Sequence, residues 1–139
     1  MMYGKYRHSV DPKGRLFVPS KLKDELGEAF FVTISVDPCL CIYTQERMQT
    51  LLDRFDTMPM LQARKLRGIF ANAVRCEPDK QGRFLIPAEL RQRVGITQDV
   101  TIIGLGNHAE IWDSKTYDEV DALETLPENL AAAMQEAQI

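Results

Sequence analysis

The chain has 139 residues, 45% of them hydrophobic and 27% charged, the composition of a soluble globular protein. No apolar run approaches the ~20 residues of a membrane span, and the opening Met1-Met2-Tyr3-Gly4-Lys5 lacks the apolar core of a secretion signal. The formal net charge of -3 argues against a uniformly basic nucleic-acid binder.

In chain order, Tyr6, His8 and Val10 alternate as a strand and lead into Asp11-Pro12-Lys13-Gly14, a turn by composition. Leu16-Phe17-Val18 is a short apolar strand ended by Pro19. A short helix follows over Pro19–Leu26, with Ser20 a candidate cap, Leu22 and Leu26 on one face, and Gly27 as its stop. Strands are expected at Phe30–Val36 and Leu40–Thr44. The stretch Gln45–Gly68 is helical in pattern, interrupted near Met58-Pro59-Met60.

The chain then repeats itself. Asp11-Pro12-Lys13-Gly14-Arg15-Leu16-Phe17-Val18-Pro19 returns 68 residues later as Asp79-Lys80-Gln81-Gly82-Arg83-Phe84-Leu85-Ile86-Pro87. That spacing is too long for a short solenoid unit and marks a duplicated domain. Ala73–Glu77 takes the place of the opening strand and Pro87–Val94 that of the short helix, closing on Gly95. Strands are expected at Asp99–Gly104 and Ala109–Asp113. Thr33-Ile34 falls over Thr101-Ile102, and one extra residue later Ile42-Tyr43 falls over Ile111-Trp112. The last segment, Ser114–Gln138, is helical with a break near Leu126-Pro127-Glu128. Units of roughly 50 residues bury too little surface to stand alone, so the halves should share a core or pack on each other.

The repeated residues carry the functional argument. Glycine at Gly14 and Gly82 suits a turn needing positive φ. Asp11 and Asp79 can accept bonds from amides a few residues on, or pair with Arg15 and Arg83 across the turn. A lone copy would be a well-made turn; two copies that both keep Asp, Gly and Arg suggest a recognition element. Neither copy has the glycines or the Gly-Lys-Ser/Thr ending of a phosphate cradle. Catalysis finds no partner set: no serine has a repeated histidine near it, and His8, beside the first motif, has no counterpart in the second unit. Cys39, Cys41 and Cys76, with His8 and His108, lack metal-site spacing, so reduced thiols in a cytoplasmic protein are expected, with no metal or other cofactor. Tyr43 and Trp112 are expected in the core or an interface.

Charge is unevenly spread. Lys5, Arg7, Lys13, Arg15, Lys21 and Lys23 gather at the first motif, and Lys80, Arg83, Arg91 and Arg93 lie among the bases of the second. Acids such as Asp118, Glu119 and Asp121 collect in the tail. A basic face is possible if that tail turns away from it.

Lys13-Gly14-Arg15-Leu16-Phe17-Val18-Pro19, Cys39-Leu40-Cys41-Ile42-Tyr43, Gln81-Gly82-Arg83-Phe84-Leu85-Ile86-Pro87, and Asn107 with Glu110-Ile111-Trp112 together resemble the MraZ family. Members are bacterial transcriptional regulators encoded at the head of the division and cell wall gene cluster. The resemblance spans nearly the whole chain. It implies a mainly-β fold with short helices, a tandem pseudo-twofold AbrB-like swapped-hairpin β-barrel covered by helices. The division expected is a first DNA-binding repeat at 1–50, linking helices at 51–70, a second repeat at 71–117 and a helical tail at 118–139.

The same resemblance implies a nonenzymatic, nucleoid-associated protein that binds double-stranded DNA at short direct repeats upstream of its own gene. It implies a homo-oligomeric ring of about 8 to 12 subunits. DNA-facing residues carried over are Lys13, Gly14 and Arg15, with Lys80, Gln81, Gly82 and Arg83. Arg7, Lys21 and Lys80 are suited to phosphates. The alternative is an AbrB-fold protein–protein or antitoxin-like regulator in which the basic turns are incidental.

Overall fold

The computed structural model describes residues 1–139. Its first unit contains β1 (Lys5–Ser9), β2 (Arg15–Phe17), a 3-10 turn at Ser20–Leu22 running into α1 (Lys23–Leu26), β3 (Phe30–Ile34) and β4 (Leu40–Thr44). Two helices follow, α2 (Gln45–Thr57) and α3 (Met60–Ala71). The second unit contains β5 (Val74–Cys76), β6 (Arg83–Leu85), α4 (Ala88–Arg93), β7 (Asp99–Gly104) and β8 (His108–Asp113). The chain closes with α5 (Ser114–Glu124) and α6 (Pro127–Ala137).

Local chemistry sets many of these boundaries. Pro59 and Pro127 begin new helices where the pattern breaks, since proline cannot donate to a preceding turn. Thr44 caps α2 by accepting from the Arg47 amide at 3.0 Å, and Asp113 caps α5 by accepting from Thr116. Ser20 does not act as the expected cap: Pro19 holds that position, and no side chain bonds the first turn.

The strands form an open six-stranded antiparallel sheet in the order β1-β7-β8-β4-β3-β5, and β2 pairs separately with β6. The opening strand of each unit is thus exchanged, β1 lying on β7 and β5 on β3. The expected closed barrel is not formed. β1 and β5 remain as the two edges of the large sheet, and β2 and β6 pair only with each other. The ribbon strands are three residues long and are followed within two residues by Pro19 and Pro87, which remove ladder donors and leave no strand to bridge the edges.

The ladders also correct the sequence match. Phe30 faces Thr44 and Val100 faces Asp113, so Phe30 is the counterpart of Val100 and Phe31 that of Thr101. The second unit spends two extra residues between Gly95 and β7 and one fewer in the β7–β8 hairpin. Thr33 over Thr101 is therefore a coincidence of spacing. Both are nevertheless buried hydroxyls that tie a helix to the sheet. Thr33 Oγ1 donates to the Ile69 carbonyl at 2.5 Å, and Thr101 Oγ1 lies 2.8 Å from Ser114 Oγ.

A single core spans both units, with Val10, Leu16, Leu22 and Phe30 from the first packed with Phe84, Ile86, Leu90 and Ile111 from the second. Phe30 and Phe84 meet edge to face, with ring centres 5.0 Å apart. Trp112 is buried and its Nε1 donates to Glu110 at 3.0 Å, while Tyr43 is half-buried beside His108. All three cysteines are free and buried. Burial pushes the Cys76 thiol up to about 11 and raises Cys39 and Cys41 as well, which keeps them protonated and unreactive at neutral pH.

Candidate nucleic-acid interface

The two repeated motifs become two turns with matching hydrogen bonds. In the first, Asp11 Oδ1 accepts from the amides of Lys13 and Arg15, both at 2.9 Å. In the second, Asp79 Oδ1 accepts from the amides of Gln81 and Arg83 at the same distance. The Gly14 amide donates to the Asp11 carbonyl and the Gly82 amide to the Asp79 carbonyl, each at 2.9 Å. These bonds hold Gly14 at φ +84° and Gly82 at φ +83°, a conformation that suits glycine and strains any other residue.

Each aspartate also aims its arginine. Arg15 Nε donates to Asp11 Oδ2 at 2.7 Å and Arg83 Nε to Asp79 Oδ2 at 3.0 Å. The two alternatives open in the sequence, bracing the turn or pairing with the arginine, are thus both realised by one carboxylate. With Nε committed, each guanidinium keeps its two terminal nitrogens without a partner in the chain. Bonds from the Arg15 amide hold the Asp11 carboxyl below the usual carboxylate range, and the Arg83 amide does the same to Asp79. Both acids stay charged at neutral pH.

The turns are joined back to back. Leu16 faces Phe84 at the centre of the ribbon, and both are buried. Period-two alternation then places Arg15, Phe17, Arg83 and Leu85 together on the outer face. Phe17 is 47% exposed and Leu85 55%, so the face carries two arginines with two apolar side chains between them. Diagonal neighbours on such a ribbon lie roughly 8 Å apart, which brings the arginines onto one patch. Beyond the ribbon the turns clamp each other reciprocally: the Val18 amide donates to the Gly82 carbonyl and the Ile86 amide to the Gly14 carbonyl, both at 2.9 Å.

Lys13, Lys21, Lys80 and Gln81 are exposed. Arg7 is placed differently, because its Nη2 donates to Asp118 at 2.6 Å and its Nη1 to Thr101 Oγ1 at 3.3 Å. Lys5 lies 3.6 Å from Asp121. The first helix of the acidic tail therefore lies against β1 and neutralises its bases instead of turning away. Charge counting along the chain missed this pairing, since the partners are more than a hundred residues apart.

Arg91 is the residue that sequence reasoning left among the background bases. Its Nε donates to the Ile86 carbonyl at 2.9 Å, and its guanidinium covers Gly14. A groove of about 890 Å³ lies at the other turn, walled by Lys23, Arg75, Lys80 and Gln81 together with Asp24, Glu28 and Asp79. Nowhere do three or more His, Cys, Asp or Glu side chains converge as a metal ion would require. No helix is long and apolar enough to cross a membrane.

Comparison with known proteins agrees with this geometry in its duplication. A family model described as "MraZ protein, putative antitoxin-like" matches residues 1–66 and again 69–138. Transcriptional regulator MraZ of Lachnoclostridium phytofermentans is 42% identical over 130 residues, covering 88% of this chain and 92% of its own length. The same-named protein of Heliobacterium modesticaldum is 42% identical over 120 residues, 84% of each chain. That of Thermoanaerobacter sp. is 42% identical over 122 residues, covering 86% of this chain and 85% of the relative. With two family-model matches spanning the duplication and identity sustained across most of its length, the chain belongs to the MraZ family.

Proposed function

We propose that this protein is a MraZ-type transcriptional regulator of the division and cell wall gene cluster that reads double-stranded DNA with its paired turns. The supporting observation is the pair of arginines, Arg15 and Arg83, each fixed through Nε by its own aspartate and each left with two free terminal nitrogens. A guanidinium held in that way is prepared for the O6 and N7 acceptors of guanine, because little side-chain freedom remains to be lost on contact. Phe17 and Leu85 between them suit thymine methyl groups. Lys13, Lys80 and Lys21 supply charge for phosphates, with Gln81 as a neutral counterpart to Lys13. Arg7 could join them only by releasing Asp118.

One subunit offers few cationic contacts, so tight binding requires several copies. A homo-oligomeric ring engaging successive direct repeats upstream of the gene would supply them, each bound tip raising the local concentration of the next. The test is a mobility-shift titration with that upstream DNA. Arg15→Ala should weaken binding by roughly 5- to 150-fold, the equivalent of one bidentate base contact at ~1–3 kcal/mol. Arg83→Ala should weaken it too, and both variants should keep the native mass. An unchanged dissociation constant for Arg15→Ala would remove the basis of this reading.

A further inference from the structure

The two turns share every internal hydrogen bond yet differ in what stands behind them. At the first, a side chain built on Gly14 would place its Cβ 2.9 Å from Arg91 Nη2 and 3.0 Å from Arg91 Cζ. The guanidinium therefore lies directly on the turn, and Gly14 is buried. At the second, a Cβ on Gly82 would meet nothing within 4 Å, and Gly82 is only half-buried. The residue matching Arg91 in the first unit is Lys23, which lines the open groove beside the second turn.

Arg91 is tied into the ribbon as well. Its Nε donates to the Ile86 carbonyl, and the Ile86 amide donates to the Gly14 carbonyl. One chain of hydrogen bonds thus runs from α4 through the end of the ribbon to the glycine of the first turn. On the other side the Val18 amide reaches the Gly82 carbonyl, but no guanidinium continues the chain. Lysine cannot imitate it: an ammonium is a point donor, whereas arginine presents a flat surface and a separate Nε–H.

We infer that Arg91 is a positioning residue that further rigidifies the first turn, making Arg15 the more firmly preorganised reader of base sequence and leaving the Arg83 turn held only by its own aspartate and the Val18 amide. This rests on the DNA-reading function proposed above. Holding a recognition group in its bound geometry improves affinity by reducing the ordering cost of binding. The benefit should be confined to the first turn, because nothing equivalent braces the second.

The test has two arms, and only one uses DNA. In the first, amide hydrogen exchange is measured by NMR on the full-length protein at Gly14 and Gly82, whose amides make bonds of equal length to equivalent carbonyls. Exchange at Gly14 should be about tenfold slower than at Gly82, the worth of a single hydrogen bond to a charged group. In Arg91→Ala the two rates should converge, while Lys23→Ala should leave both unchanged. In the second arm, Arg91→Ala should lose about tenfold in affinity for the upstream repeats and little for scrambled DNA of equal length. Arg91→Lys should recover less than half of that loss on a logarithmic scale; full recovery would assign the effect to charge alone and overturn the bracing role. Should Arg91→Ala fail to fold, Arg91→Met, which keeps the aliphatic stem, replaces it. Equal exchange at the two glycines in the native protein, or a difference that survives in the folded variant, would overturn the inference. Failure of the native protein to prefer the repeats over scrambled DNA would instead overturn the proposed function and leave the exchange result standing.

Discussion

At the scale of single residues, the aspartates determine what the arginines can do. Asp11 and Asp79 each accept two amides and one guanidinium Nε, so each turn depends on a carboxylate being ionised. Their folded pKa values lie below the ordinary carboxylate range, mainly through the Arg15 and Arg83 amides. A group depressed on folding contributes order that is complete above its unfolded pKa, about 4 for aspartate, and is lost as pH falls through the lower folded value. The amide signals of Arg15 and Arg83 should therefore hold steady from pH 8 to 5 and move only below about pH 4. A midpoint near pH 6 would contradict the ionised-turn account. Asp11→Asn should leave the turn loosely held at every pH, because the amide side chain cannot replace a carboxylate toward Arg15 Nε and two backbone donors together.

At the scale of elements, the β2–β6 ribbon couples the outer face bearing Arg15 and Arg83 to the core. Each three-residue strand has one fully buried residue, Leu16 or Phe84, flanked by the arginine and an exposed apolar residue. Phe84 also meets the Phe30 ring from β3, which links the ribbon to the large sheet. Phe84→Ala should destabilise the protein by about 3–5 kcal/mol, as removal of a core phenylalanine generally does. Thermal or urea unfolding followed by circular dichroism would measure it, and a loss under about 1 kcal/mol would show that the ribbon is not anchored in the core. The strand patterns were legible because apolar alternation and the flanking Pro and Gly are local signals. Helix breaks at Pro59 and Pro127 were legible for the same reason. The ladder register was not: matching threonines suggested one alignment, and the pairing of Phe30 with Thr44 and Val100 with Asp113 imposed another.

For the whole molecule, the exchanged strands make each half depend on the other. β1 finds its ladder partner only in β7, and β5 finds its own only in β3. The core draws on both units, and a unit of roughly 50 residues is marginal without such help. A fragment of residues 1–71 should therefore show no folded monomer by NMR or analytical ultracentrifugation, and mixing it with residues 72–139 should restore native dispersion. A cooperatively folding monomer of either half would refute this interdependence. The same architecture gathers both Asp-Gly-Arg turns on one ribbon instead of leaving them at opposite ends of tandem domains.

By itself, the sequence determined the duplication, the turn chemistry of Asp, Gly and Arg, the strand and helix order, and the family to which the chain is similar. These are carried by residues close together in the chain, whose propensities and hydrogen bonds act locally. Only the tertiary structure decided that the large sheet stays open, that Arg7 is held by Asp118, and that Arg91 covers the first turn but nothing covers the second. Each depends on groups brought together from distant parts of the chain, where spacing carries no information and packing alone selects the partner.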